Sequence, residues 1–265
     1  MELAHDLTGP EAQPQGAAVD EPGGAPELVL VHGITESRRT WDPLVPALGA
    51  SHLVLNIDLP GHGESPNSPA YDPVSLAIAV HDTVVAVGFT DPLIVGHSLG
   101  GVVVSAYAGM FGCRGAVNVD QPLQLSAFQG ALQAAAPMLR GTPEEFASFI
   151  AMLFASMDGR LPPAQRARIA ATSRPDQDVV LAIWDSVLTS TPQELDASVD
   201  ALTSAIHMPY LSLHGIDPGP EYSVWLSTRV PTSTVEVWPD RGHYPHLVEP
   251  ERFLARLAAF EQSLA

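Results

Sequence analysis

A serine in the middle of the chain has the surroundings of a nucleophile. The run Leu93-Ile94-Val95-Gly96-His97-Ser98-Leu99-Gly100-Gly101 begins as a short apolar strand and ends in Gly-x-Ser-x-Gly, and the small apolar residues 102–110 favour a helix after it. A turn of this kind is sharp and strained, and it lifts the serine hydroxyl above the end of a sheet. Gly96 and Gly100 leave room for the neighbouring backbone. The pattern therefore predicts Ser98 as a nucleophile.

The candidate base for this serine is a histidine near the C-terminus. A serine hydroxyl is a poor nucleophile near neutral pH and needs a base within hydrogen-bond reach. His243 lies in a glycine-containing loop, residues 240–246, after a predicted strand and before the last helix. We interpret seven further histidines as solvated, packing or structural residues: His5, His32, His52, His81, His97, His207 and His246.

Strand-like and helical segments alternate on both sides of a purely helical block. Strands are predicted at residues 28–31, 53–57, 115–119, 209–213 and 234–238 and before Ser98, with short edge strands considered at 3–7 and 17–19. Helices are predicted at 40–48, 73–87, 102–110, 221–229 and 250–264. Between residues 122 and 205 all candidates are helical: 125–135, 143–157, 162–172, 176–189 and 192–204. The pattern predicts an α/β sheet protein with an inserted helical block.

These features together resemble the α/β-hydrolase family. The motifs are the Ser98 turn, His32-Gly33 after an early strand, the turn-rich loop 58–65 and Gly242-His243 before the last helix. The resemblance covers residues 28–122 and 207–264 and implies a mostly parallel central sheet flanked by helices, with an inserted all-helical cap. It divides the chain into a core, residues 1–122 and 206–265, and a cap, residues 123–205.

Two backbone amides are expected to bind the oxyanion. The N–H of Leu99 lies at a predicted helix N-terminus, where it points toward developing negative charge. The resemblance assigns the second donor to the N–H of Ile34, with Gly33 supporting the loop by allowing a close approach.

The acid that would orient His243 is a choice between two aspartates. Most of the family carries this acid after the strand equivalent to 209–213, but Asp217 falls one residue too close to Gly215, in a shortened loop. A shift of one residue turns a side chain to the opposite face of an extended segment. Asp120 ends the strand after the Ser98 helix, where a minority of the family, including zearalenone-type lactone hydrolases, places the acid. We predict Asp120, with Asp217 as the alternative; a turn-capping role for Asp120 stays open.

The cap carries apolar stripes at helical spacing, of the kind that pack a core or cover a substrate pocket. Phe154 lies in one such stripe, and Met152 beside it is a flexible side chain suited to a pocket roof. Trp184 lies in a helix comparable to the one that covers the substrate in zearalenone-type lactonases. These three residues are the predicted substrate contacts, and simple core packing remains the alternative for Trp184.

Composition excludes several classes of partner. The net charge of −18 comes from 30 acidic and 12 basic residues, all arginine, which argues against nucleic acid and anionic membranes. The single cysteine, Cys113, excludes an internal disulfide, and neither a signal peptide nor a bilayer-length apolar run is visible. We therefore expect a cytoplasmic protein. The histidine spacing suggests no metal site, no cofactor is expected, and the oligomeric state is left open, with a homodimer as one alternative.

The expected activity is serine hydrolysis of a carboxylic ester or lactone whose substrate is uncharged and largely apolar. C–C bond hydrolysis and perhydrolysis use the same residues and remain alternatives, as does a hydrolase-like ligand receptor with little turnover. Haloalkane dehalogenase and epoxide hydrolase chemistry is excluded, because both need a carboxylate at the position of Ser98.

Overall fold

A seven-stranded sheet forms the centre of the protein. The structure is a computed structural model that describes residues 1–10 and 24–264. The strands are β1 (His5–Thr8), β2 (Glu27–Val31), β3 (Leu53–Ile57), β4 (Leu93–His97), β5 (Gly115–Val119), β6 (Tyr210–His214) and β7 (Ser233–Val237), in the spatial order β1-β3-β2-β4-β5-β6-β7. All neighbouring pairs are parallel except β1 with β3. The predicted mostly parallel sheet is confirmed. The strand considered at 17–19 lies outside the described residues.

Eleven α-helices are present in the described part of the chain. They are α1 (Val45–Leu48), α2 (Pro73–Ala86), α3 (Leu99–Met110), α4 (Leu125–Leu139), α5 (Pro143–Met157), α6 (Pro163–Thr172), α7 (Gln177–Thr189), α8 (Pro192–Thr203), α9 (Tyr222–Arg229), α10 (Pro245–Val248) and α11 (Pro250–Gln262). None of them, within residues 1–10 and 24–264, combines the length and apolarity needed to cross a bilayer.

Alternating residues of the strands build a separate core on each face of the sheet. In β2, Val29 and Val31 join the core beneath α2, α3 and α9, whereas Leu28 and Leu30 join the core beneath α1 and α11. Because both faces are covered, the central strands β2 and β4 are almost entirely apolar, whereas the edge strands β1 and β7 carry exposed polar residues. The carboxyl ends of β4 and β5 consequently meet at one edge of a buried sheet.

One predicted helix divides into two short pieces. Residues 40–48 were expected to form a single helix, but Arg38–Trp41 is a 3-10 turn and α1 begins only at Val45. Pro43 and Pro46 explain the difference, because neither has the N–H that would continue the ladder of hydrogen bonds.

The five helices predicted after β5 are all present, as α4–α8 between β5 and β6. α4 packs against α5, α7 and α8. α5 and α8 each begin with a capping box, in which Thr142 pairs with Glu145 and Thr191 with Glu194. This block lies over the carboxyl ends of β4 and β5, where it encloses the site.

Candidate active site

Ser98 lies at the strained turn between β4 and α3. Its backbone has φ 52° and ψ −122°, a conformation that residues other than glycine rarely adopt. A Cβ at position 96 would lie 2.0 Å from the Gly100 carbonyl oxygen, and one at position 100 would lie 2.4 Å from that of Val31. The two glycines are therefore required by the close approach of backbone on both sides of the turn. Ser98 is held so that its side chain lines a cavity.

The cavity measures about 390 Å³ and lies between the sheet edge and the cap helices. Ser98 and His243 line it together with Asp120, Ile34 and Leu99. The rest of the lining is mostly apolar and includes no arginine: Tyr71, Pro73, Val102, Gln121, Pro122, Gln124, Leu125, Ala127, Phe128, Leu153, Phe154, Met157, Ile183, Trp184, Ser186, Val187, Ile216, Asp217 and Pro218. A mostly apolar lining with a few convergent polar groups is typical of a small-molecule site.

Asp120 holds His243 directly. The distance from Asp120 Oδ2 to His243 Nδ1 is 2.7 Å, and both residues are buried. The other carboxylate oxygen, Oδ1, accepts hydrogen bonds from the backbone N–H groups of Gly215 at 2.7 Å and Ile216 at 3.0 Å. With Nδ1 committed to Asp120, the remaining ring nitrogen, Nε2, is the one available for chemistry.

These contacts keep the Asp120 carboxylate charged. Burial alone would raise its pKa, but the hydrogen bond and charge of His243, with the Ile216 amide, lower the pKa below its ordinary value. A permanently charged acceptor both fixes the orientation of the imidazole and stabilises its protonated form.

Asp217 lies apart from His243. Its side chain is exposed, and its Oδ1 accepts a hydrogen bond from the Gly219 N–H at 2.8 Å. This local turn occupies the carboxylate at the rim of the cavity. Of the two aspartates weighed from the sequence, the structure brings only Asp120 into contact with His243.

Two backbone amides beside Ser98 have no acceptor within the described protein: those of Ile34 and Leu99. The Ile34 loop approaches Ser98 because Gly33 has no side chain, since a Cβ there would lie 3.0 Å from the Ser98 Cβ. The Gly33 N–H is itself bound by Glu36 Oε2 at 3.2 Å. The Ile34 loop and the first residue of α3 thus each leave one free donor beside Ser98, the pair of amides expected of an oxyanion hole.

A buried ionic cluster lies behind the site, and sequence reasoning missed most of it. Glu36 accepts a hydrogen bond from the Tyr244 hydroxyl at 2.8 Å and lies 3.4 Å from His97 Nδ1. His97 Nε2 is 2.7 Å from the carbonyl oxygen of His243. Glu36 thereby connects the Ile34 loop to the His243 loop. The sequence did carry one signal for this cluster, namely Glu36, which follows His32-Gly33 at the end of a buried strand. A charged side chain that becomes buried there needs a charged or hydrogen-bonding partner.

The two charges of this cluster support each other. Burial alone would raise the pKa of Glu36, but the nearby charge of His97 and the hydrogen bond from the Tyr244 hydroxyl lower that pKa well below its ordinary value. Burial alone would lower the pKa of His97, but Glu36 raises it above its ordinary value. His246 packs between Trp41 and His97 with neither ring nitrogen hydrogen-bonded, and burial lowers its pKa. It is a neutral packing residue.

The helical block α4–α8 is attached to the His243 loop and to the Ile34 loop by backbone hydrogen bonds. The His243 N–H donates to the Met157 carbonyl at the end of α5 at 2.7 Å. The Arg174 N–H, between α6 and α7, donates to the Thr35 carbonyl at 3.0 Å. Gly242, at φ 67°, allows the first contact, because a Cβ there would lie 2.5 Å from the Met157 oxygen.

Of the three predicted cap residues, two line the cavity and one does not. Trp184 of α7 lines it and packs edge-on against Phe128, and the Phe154 ring centroid lies 6.3 Å from that of His243. The assignment of Met152 is wrong: this side chain is 56% exposed and does not line the cavity. α5 turns Leu153, Phe154 and Met157 inward, and Met152 lies on the opposite face.

Among the described residues, no group of three or more His, Cys, Asp or Glu side chains is placed to hold a metal ion. The chemistry that these residues can perform themselves is nucleophilic attack by a serine, proton transfer by a histidine and stabilisation of an oxyanion by amides. A buried α/β sheet that presents this set at its carboxyl edge defines a hydrolase of the α/β type.

Comparison with known proteins agrees with that class. Residues 28–256 match the model of the alpha/beta hydrolase family, and the chain belongs to this family. It is 28% identical over 257 residues to a pimeloyl-[acyl-carrier protein] methyl ester esterase of Neisseria meningitidis serogroup C. The aligned region covers 92% of this chain and 96% of the relative. Esterases are thus among its relatives.

Solved structures show the same fold. A hydrolase from Pseudomonas aeruginosa is similar with a TM-score of 0.73 and 19% identity, over 97% of this chain and 93% of the other. The enol-lactonase from Burkholderia xenovorans is similar with a TM-score of 0.73 and 16% identity, over 97% and 95%. The expected α/β-hydrolase fold is confirmed.

Proposed function

We propose that the chain is a serine hydrolase that cleaves a carboxylic ester or lactone of an uncharged, largely apolar substrate through an acyl-enzyme. The observation that carries the proposal is the grouping of Ser98 with His243 in one cavity, where Asp120 holds His243 at 2.7 Å. Support also comes from the methyl ester esterase among the relatives.

In the proposed mechanism, Ser98 Oγ attacks the carbonyl carbon while His243 Nε2 takes the hydroxyl proton. The negative charge on the carbonyl oxygen is bound by the amides of Ile34 and Leu99, a contribution of about 3–4 kcal/mol per donor in well-studied cases. His243 then gives its proton to the leaving oxygen, which in a lactone stays attached to the acyl group. Water then attacks the acyl-enzyme while His243 Nε2 takes its proton, and the return of that proton from His243 to Ser98 Oγ releases the acid and restores both residues.

The cavity supports an uncharged substrate. No arginine is among its lining residues, and Asp217 lies at its rim. A substrate carboxylate or phosphate would find no cation there and would be repelled by Asp217. An apolar ester instead gains free energy from leaving water.

The test is covalent labelling of Ser98 combined with steady-state turnover. We expect a phosphonate ester to add once to the wild type, as read by intact mass, and not to Ser98→Ala, which should also lose turnover of p-nitrophenyl butyrate. Ser186→Ala is the matched control, because Ser186 lines the same cavity without a base. It should keep both labelling and turnover.

Two outcomes would overturn the proposal. Ser98→Ala activity within tenfold of the wild type would exclude Ser98 as the nucleophile. A wild type that stalls after about one turnover, with product release ruled out as the cause, would indicate a ligand receptor instead.

A further inference from the structure

A second cavity lies beside the first one. It also measures about 390 Å³, opens at the surface, and is lined mainly by residues of α3, α8 and the beginning of α2. The two cavities share four lining residues: Pro73, Val102, Leu125 and Ser186. A thin wall of side chains is therefore all that divides the second cavity from the space above Ser98.

One face of α3 forms the floor of both cavities. Leu99 and Val102 line the first, and Val102, Ala106 and Met110 line the second. These positions are separated by three or four residues and so lie on one side of the helix. The face begins at the Ser98 turn and ends at the last residue of α3. At about 1.5 Å per residue, the distance from Leu99 to Met110 is roughly 16 Å.

The second cavity is suited to hydrocarbon. No arginine is among its lining residues, and its one charged lining residue, Asp72, already binds the Ser75 N–H at 3.0 Å and hydroxyl at 2.6 Å. Val74 and Met110 at its outer end are 47% and 43% exposed. An uncharged chain would bury apolar surface along the whole floor, whereas a terminal carboxylate would meet no cation.

We propose that the two cavities act as one channel, and that the substrate is an ester with an extended, uncharged apolar arm lying along α3. The inference rests on the proposed function, since it takes Ser98 as the reacting group. An extended alkyl chain advances roughly 1.3 Å per carbon–carbon bond of about 1.5 Å. A floor of roughly 16 Å therefore accommodates an arm of about twelve carbons. The channel can receive this arm from the acyl or the alcohol side of the ester.

The experiment compares chain-length series on the two sides of the ester. The acyl series runs from p-nitrophenyl acetate to the laurate, and the alcohol series from ethyl to dodecyl acetate, each below its micelle concentration. Each buried methylene raises kcat/KM by up to about fourfold. We expect at least a thirtyfold rise from four to ten carbons in one series, which identifies the arm that enters the channel.

A substitution that fills the second cavity supplies the structural control. Ala201 of α8 is exposed and lines this cavity, so Ala201→Trp should block it from the rim. Ala197, also exposed and on α8, does not line it, and Ala197→Trp is the matched control. Ala201→Trp should remove the rise with chain length, read within the variant as the ratio of kcat/KM at ten carbons to that at four. Ala197→Trp should leave this ratio unchanged.

A flat chain-length profile in both series, with Ser98-dependent turnover of the acetate, would overturn this inference alone. A folded Ala201→Trp variant that keeps the wild-type rise of kcat/KM with chain length would also overturn the channel inference. If Ala201→Trp does not fold, Ser198→Phe blocks the same cavity from the preceding turn of α8 and decides the question. Turnover that survives Ser98→Ala would overturn the proposed function instead.

Discussion

The substitution Asp120→Asn tests how the carboxylate controls the imidazole. Asp120 Oδ1 accepts two backbone hydrogen bonds, from Gly215 and Ile216, and Oδ2 contacts His243 Nδ1. An amide has one oxygen, and this oxygen must face the two N–H groups, because an NH₂ group placed there would meet two donors. The NH₂ group is therefore directed at His243 Nδ1 and can only donate to it.

The expected consequence is a histidine in the wrong tautomer. With Nδ1 accepting, the neutral ring carries its proton on Nε2 and has no lone pair for the Ser98 proton, and no negative charge stabilises the imidazolium. The comparable change in a serine protease triad lowers kcat by about 10⁴. We expect a loss of about 10²–10⁴ here. Both backbone bonds survive as bonds to a neutral acceptor, so the loss of stability should be about 1–2 kcal/mol.

The assay is kcat for p-nitrophenyl butyrate, measured with the unfolding midpoint and, for the tautomer, with ¹⁵N shifts of the His243 ring. Asp217→Asn is the matched control and should stay within about threefold of the wild type, because the Asp217 carboxylate accepts a hydrogen bond from the Gly219 N–H and lies apart from His243. A folded Asp120→Asn enzyme with a near-normal rate, beside a folded but inactive Asp217→Asn, would refute the reasoning.

Three further substitutions test other parts of the site. Glu36→Gln removes one partner of a buried ion pair and should cost about 3–5 kcal/mol in urea unfolding. The folded protein has a lowered pKa at Glu36 and a raised pKa at His97, so the ion pair stabilises it fully between about pH 4.5 and 6.5. The difference in unfolding free energy between the wild type and Glu36→Gln should therefore be largest in this window and shrink at lower and at higher pH. A difference that does not change with pH would contradict the ion pair. Gly33→Ala should lower kcat at least tenfold, because its Cβ would lie 3.0 Å from that of Ser98; an unchanged kcat would show that the loop yields. Trp184→Ala should reduce kcat/KM more for a bulky aryl ester than for p-nitrophenyl acetate, whereas equal losses with a large fall in Tm would show that Trp184 is a core residue.

The fold was largely predictable because its signals are local. Continuous apolar runs of about five residues predict strands buried on both faces, and β3 and β5 occupy the residues expected from them. Proline and Ser/Thr/Asp caps mark the starts of helices, and α5 occupies the predicted residues from Pro143 to Met157. The turn at Ser98 was equally readable, because only glycines fit where backbone passes this close to backbone.

Side-chain direction within the cap was less predictable. Met152 and Phe154 are two residues apart on one helix, and periodicity alone does not say which face meets the cavity. The structure directs Phe154 inward and leaves Met152 exposed, because α4 and the His243 loop cover only one side of α5. The neighbours that decide this are far away in the sequence.

The contacts around His243 depend on the tertiary structure alone. The sequence by itself determined that a serine, a late histidine and two candidate aspartates lie at the ends of strands. Which aspartate contacts His243 depends on how the ends of β5 and β6 pack, since the Gly215 and Ile216 amides turn Asp120 toward the histidine while Asp217 closes a local turn. The Glu36–His97 pair likewise joins residues that are 61 positions apart, a contact that only the assembled core creates. Contacts of 2.7 Å between distant segments require the packed sheet, because no local pattern encodes the separation of two loops.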